Sequence, residues 1–201
     1  MEQKISVNKT FRYYTYGNAE NASHIWFVLH GYGQLAYYFL RKFNMLDPDE
    51  HFIVAPEGMH RFYLKGTSGR VGASWMTKEA RLDDIEDNHH FLDVVSDKML
   101  SKYSFKNRIL LGFSQGGATA SRWHQRNTFK ADHFILWGCI FPPDLDAAYD
   151  DEVFRLSKNH FVIGSKDEYF QDNLNEVIET YERKIPGINT KTFDGTHNID
   201  S

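Results

Sequence analysis

Gly112-Phe113-Ser114-Gln115-Gly116-Gly117 is the segment of this 201-residue sequence with the plainest chemical potential. Its serine has a glycine two positions away on each side. It follows an apolar run and precedes the small-residue stretch Ala118-Thr119-Ala120. That is the pattern of a nucleophile held on a sharp strand-to-helix turn. Such a turn exposes Oγ, and its flanking residues pass so close together that only very small side chains fit. A helix starting after Ser114 also aims unpaired N–H groups and its positive end at the reacting atom. A serine hydroxyl is a weak nucleophile until a neighbouring base takes its proton, and that base needs a third group to orient it.

The elements that would position this chemistry alternate along the chain. Apolar runs at Phe11 to Tyr16, Ile25 to Leu29, His51 to Ala55, Arg108 to Phe113, Phe134 to Cys139, His160 to Gly164 and Thr190 to Phe193 read as strands. Helical patterns fall between them at Ala36 to Phe43, Asp84 to Tyr103, Gln115 to Arg126 and Tyr169 to Lys184. In the second of these, Ile85, Phe91, Leu92, Val95 and Met99 lie near one face. Strands alternating with helices of that length imply a mainly parallel sheet, whose chemistry collects at the carboxyl ends of the strands. The places to look are therefore Leu29-His30, Phe113-Ser114, Gly164 to Asp167 and Phe193 to His197.

Serine elbows of this kind occur in α/β-hydrolases, where the chain order is serine, then acid, then histidine. Of ten histidines, His133, His160 and His197 lie well beyond Ser114. The first two precede or open buried strands. His197, in Gly195-Thr196-His197-Asn198, follows the last strand and is the candidate base. Asp167, in Gly164-Ser165-Lys166-Asp167, stands where a strand ends and is the candidate acid, with Glu168 as the fallback. Asp144, Asp146 and the Asp150-Asp151-Glu152 cluster fit a loop and a helix N-terminus better. In the same fold the oxyanion hole is formed by two backbone N–H groups, one from the turn after an early strand and one from the residue after the nucleophile. Here these are Tyr32, in His30-Gly31-Tyr32-Gly33, and Gln115. The His30 side chain is expected to brace the loop.

Taken together, these four segments resemble the phospholipase/carboxylesterase family of α/β-hydrolases, which includes acyl-protein thioesterases and small carboxylesterases. The Ala55-Pro56 step and the Ser74-Trp75 pair belong to the same resemblance, which spans about Phe11 to Ile199. It implies an α/β-hydrolase fold with helices on both faces of the sheet, no separate cap domain, and residues 1–201 as one domain. It also implies cleavage of carboxylic esters or thioesters through a Ser114-His197-Asp167 triad and an acyl-enzyme, with no cofactor and no metal. Two features depart from the family. Only four residues follow His197 where the family continues into a helix, so a less anchored histidine is expected. Met76 to Arg81 lacks the usual aromatic–aspartate continuation after the tryptophan.

Composition narrows the partners. A net charge of −4 with scattered Lys and Arg argues against nucleic acid. No window approaches the roughly 18 apolar residues of a membrane span, and no h-region follows Met1. Cys139 is the sole cysteine, so no internal disulfide forms and a cytoplasmic setting is expected. His89-His90 has the wrong spacing for two metal ligands on one helix face. Nothing in the sequence sets an oligomeric state. Aromatic content of 15% leaves room for an apolar pocket. Loop position nominates Trp75, Met76, Phe141 and Phe170 for its lining, with Phe62, Tyr63 and Pro142 beside them, and the stretch Glu57 to Ser74 as a partial flap. Other substrates for the same triad are lysophospholipids, acylated proteins and small peptides. The alternative in another class is a catalytically silent protein of this fold that holds an apolar ligand.

Overall fold

Seven strands form one sheet in the computed structural model, which describes residues 1–145, 151–185 and 187–199. In chain order they are β1 (Tyr13–Tyr16), β2 (His24–Leu29), β3 (His51–Pro56), β6 (Asn107–Phe113), β7 (His133–Trp137), β8 (Lys158–Gly164) and β9 (Asn189–Phe193). A separate hairpin, β4 (His60–Tyr63) and β5 (Val71–Ser74), lies between β3 and the rest. The sheet order is β1-β3-β2-β6-β7-β8-β9, with β1 antiparallel and every other pairing parallel. The helices are α1 (Ala36–Leu40), α2 (Arg81–Leu100), α3 (Gln115–Arg126), α4 (Glu152–Leu156) and α5 (Leu174–Lys184). No helix among the described residues is long and apolar enough to cross a membrane.

The period-two alternation of each strand divides the core in two. Ile25, Phe27 and Leu29, with Phe52, Val54, Leu110, Phe134 and Leu136, pack on the face covered by α2 to α5. Val28, Ile53, Ala55, Leu111 and Phe113 pack on the opposite face, against Ala36, Phe39, Leu40 and Phe43. Helices thus lie on both faces, but unequally: among the described residues the second face carries only α1 and the 3-10 turn Arg41–Phe43 that follows it. On α2, Phe91, Leu92, Val95 and Met99 are buried, with half-buried Ile85 packed beside them.

Several boundaries differ from the sequence expectation. The strand expected to reach Cys139 stops at Trp137, because Gly138 turns the chain with φ +52°. The helix expected from Tyr169 begins at Leu174, since Asp167 Oδ1 accepts the Tyr169 N–H at 3.0 Å and a turn forms instead. The helix expected over Asp84 to Tyr103 is shifted to Arg81–Leu100. The proposed flap is the β4–β5 hairpin, and it is not loose. Gly33 N–H donates to Ala73 O at 2.8 Å and Ala73 N–H to Gln34 O at 3.0 Å, which ties it to the loop after β2.

Candidate active site

Ser114 follows β6 directly and stands at the N-cap of α3, with φ 52° and ψ −123°, a region that non-glycine residues rarely occupy. Its N–H donates to Trp137 O at 3.0 Å and its carbonyl accepts from Gly117 at 2.9 Å, which pins the elbow at both ends. Gly116 is required by close approach: a Cβ there would stand 2.2 Å from Leu29 O. α3 therefore starts hard against the end of β2.

His197 and Asp167 meet this serine. Ser114 Oγ lies 2.9 Å from His197 Nε2, and His197 Nδ1 lies 2.7 Å from Asp167 Oδ2. A carboxylate only accepts, so the proton sits on Nδ1 and the bare Nε2 faces the serine hydroxyl. Asp167 is 1% exposed, held by His197 on one oxygen and the Tyr169 N–H on the other. Glu168 is exposed to solvent. The imidazole rests against Phe113 and Tyr169, with ring centroids 4.9 and 4.6 Å away. Sequence reasoning missed Gly138 here. A Cβ on it would come 3.3 Å from both Asp167 Oδ2 and His197 Nδ1, crowding the pair. A glycine directly after a buried strand was the available signal.

The other carboxylates have their own work. Asp144 takes a two-pronged ion pair from buried Arg122 at 2.7 and 2.8 Å, whose hydrogen bonds hold its carboxyl below the usual range. Asp151 caps α4 by accepting the Val153 N–H at 2.9 Å. Asp146 and Asp150 lie outside the described residues. Cys139 is buried and its thiol is pushed up to about 12 by burial, so it is no rival nucleophile.

The loop Gly31-Tyr32 passes beside the serine: a Cβ on Gly31 would sit 3.1 Å from Ser114 Cβ. Gln115 opens α3, where the first N–H groups have no partner within the helix. Its side chain ties down the segment before α2. Oε1 accepts from Trp75 N–H at 3.0 Å, and Nε2 donates to Met76 O at 2.9 Å. Trp75 Nε1 in turn donates to His30 O at 2.8 Å.

His30 is fully buried. Its Nδ1–H donates to Gly31 O at 2.8 Å and its Nε2 accepts the Gly58 N–H at 3.0 Å, so it braces the loop as a neutral ring. Burial lowers its pKa from 6.5 to about 4, and burial does the same to His124, which stacks on Phe134 at 4.4 Å. Both folded values lie below the unfolded one, so protons bind the unfolded chain more tightly and stability falls as pH drops from about 6.5 towards 4. At pH 5 each ring should have cost about 2 kcal/mol. Urea midpoints measured from pH 7 to pH 5 should fall accordingly; a flat profile would contradict two neutral buried imidazoles.

Of the four residues nominated for a pocket, three lie in the core. Trp75, Phe141 and Phe170 are at most 4% exposed and belong to the core beneath α2 to α5. Loop position does not tell which way a side chain points, and each of these turns inward. Phe141 packs against Phe154 and Tyr181, and Phe170 backs His197 at 6.3 Å. Met76, although 9% exposed, borders an open cleft of about 840 Å³ that also touches Gln115. The exposed aromatics near the site are Tyr32, paired with Phe62 at 5.1 Å, and Tyr169. Among the described residues no group of three or more His, Cys, Asp or Glu is arranged to hold a metal ion.

No sequence-family model matches the chain, and no characterised protein matches it significantly by sequence. By structure it is similar to a carboxylesterase from Mesorhizobium loti, with a TM-score of 0.71 and 15% identity over 95% of this chain and 89% of that one. It is also similar to acyl-protein thioesterase 2 of Zea mays, with a TM-score of 0.65 and 14% identity over 93% and 91% of the two chains. A carboxylesterase from Bacillus cereus gives 0.61 and 14% over 95% and 88%. At these identities the likeness is one of fold. The chain shares the α/β-hydrolase fold of these proteins, a mostly parallel seven-stranded sheet flanked by helices.

Proposed function

We propose that this protein is a serine hydrolase that cleaves carboxylic esters or thioesters through an acyl-enzyme. The observation that carries the reading is the line Ser114 Oγ, His197 Nε2, His197 Nδ1 and Asp167 Oδ2, with steps of 2.9 and 2.7 Å at the tip of a strained elbow. His197 takes the serine proton as Oγ attacks the carbonyl carbon. The Tyr32 and Gln115 N–H groups hold the oxyanion as it forms. His197 then protonates the departing alcohol or thiol, and water repeats the cycle to release the acid. Asp167 stays ionised and keeps the imidazole in the tautomer that accepts from serine. Each step is a proton transfer or an acyl transfer, so the cycle calls on no cofactor.

Exposed Tyr32, on the loop beside the serine, and exposed Tyr169, against His197, flank the reacting atoms, and with no cap domain over them among the described residues short acyl groups are the favoured reading. The test is turnover of p-nitrophenyl esters from acetate to decanoate, with a lysophospholipid and an S-acylated peptide run alongside. Fastest turnover of the short esters is the expected result. Faster turnover of either companion substrate would reassign the acyl donor and leave the mechanism intact. No turnover across the set would overturn the hydrolase reading in favour of a ligand-binding protein of this fold.

A further inference from the structure

We propose that Lys42 is a positioning residue for the His197 imidazole, an inference that rests on the triad reading above. Lys42 sits in the 3-10 turn after α1, 156 positions from Asn198 in the chain. Its ammonium donates to Asn198 Oδ1 at 2.5 Å and to Ile199 O at 3.2 Å. Both acceptors lie immediately beyond His197. Trp137, at the end of β7, adds a third tie from Nε1 to Asn198 O at 3.1 Å, and Asn198 N–H closes on Thr196 O at 2.8 Å around the histidine. On the upstream side Lys166 N–H donates to Gly195 O at 2.9 Å. The loop that carries the imidazole is therefore held at both ends, and Lys42 supplies two of the downstream bonds.

Packing on its own leaves this anchor underdetermined. Ile199 is buried against the smaller core, but the floor next to it is a hollow of about 340 Å³ lined by Lys42, Phe43, Leu111, Trp137 and Ile199. Where apolar contact is missing on one side, directional bonds fix the position of the chain. A lysine suits the place because one ammonium has three donors and can hold a side-chain amide and a main-chain carbonyl together. Charge-assisted bonds of this kind are also stronger than neutral ones. Displacement of a general base by about 1 Å costs on the order of 10²-fold in rate, so the anchor should register in kcat although Lys42 touches neither substrate nor Ser114.

Lys42→Met keeps the stem and removes the donors. It should lower kcat about 10- to 100-fold with KM within about twofold, and Lys42→Arg should recover most of that loss. Lys191→Met, a cation lining the same hollow, should leave kcat unchanged. Asn198→Ala should lower kcat less, because it leaves the Lys42 bond to Ile199 O, and the double variant should be little worse than Lys42→Met, which already lacks both bonds. A readout independent of turnover is the imidazole proton on His197 Nδ1 by NMR, which should broaden in Lys42→Met and reappear in Lys42→Arg. Should Lys42→Met fail to fold, Asn198→Ala with the same signal decides the matter. Full kcat and an unchanged Nδ1 signal in Lys42→Met would overturn the proposal, as would an equal loss in Lys191→Met. A wild type without turnover refutes the triad reading, whereas the Nδ1 signal separately decides the role of Lys42.

Discussion

Ser114→Ala is expected to lower kcat/KM for p-nitrophenyl esters by about 10⁴- to 10⁶-fold, the range for loss of a triad nucleophile. The substitution removes one oxygen and leaves Cβ in place, so the elbow at φ 52° meets no new strain and the thermal midpoint should change little. Only the attacking atom is lost. His197 keeps its bond to Asp167, and the N–H groups of Tyr32 and Gln115 stay where they are. Cys139 cannot take over, since its thiol is buried and raised to about 12. Steady-state kinetics together with a melting curve check the result. A loss of less than tenfold in a folded protein would mean that another group carries the acyl transfer.

Asp167→Asn is expected to cost about 10⁴-fold in kcat with the fold intact, for a different reason. The carboxylate accepts from Nδ1 at 2.7 Å and so dictates which nitrogen is bare. An asparagine amide can donate in its place, which turns the ring into the tautomer with its proton on Nε2, facing Ser114 Oγ. The base is then present, in position and unable to accept. Burial makes the effect large, because with Asp167 1% exposed no water competes for that bond. Glu168→Gln serves as the control. Its side chain is exposed, and activity should be unchanged. Equal losses in both variants would point to a general effect of loop charge rather than a specific orienting bond.

Legibility in the sequence followed how local each constraint is. The elbow could be read because its geometry demands glycines at fixed offsets from Ser114, within six consecutive residues. Asp167 and His197 could be nominated because strand ends and chain order narrow the choice, and the structure brings them within hydrogen-bond distance of each other and His197 within that distance of the serine. The parallel sheet followed from apolar runs of strand length, such as Ile25 to Leu29.

What was missed depends on partners distant in sequence or on side-chain direction. The Lys42–Asn198 bond leaves no local signature, and at Gly138 the only local sign is a glycine directly after a buried strand. The β4–β5 hairpin is built from mixed residues, His60-Arg61-Phe62-Tyr63 and Val71-Gly72-Ala73-Ser74, without a sustained period of two. Trp75 and Phe141 looked like pocket walls by loop position. Their rings turn inward, and the Trp75 indole is used to hold the His30 carbonyl instead. The expectation of a poorly anchored His197 also needs revision, since Lys42, Trp137 and Ile199 hold the segment that follows it.

Reaction with a fluorophosphonate, followed by intact-mass measurement and peptide mapping, tests the central claim most directly. One adduct per chain on the Ser114 peptide is the expected result, absent from Ser114→Ala and strongly slowed in His197→Ala. An adduct on another residue, or ester hydrolysis that persists in the absence of any adduct, would contradict Ser114 as the nucleophile.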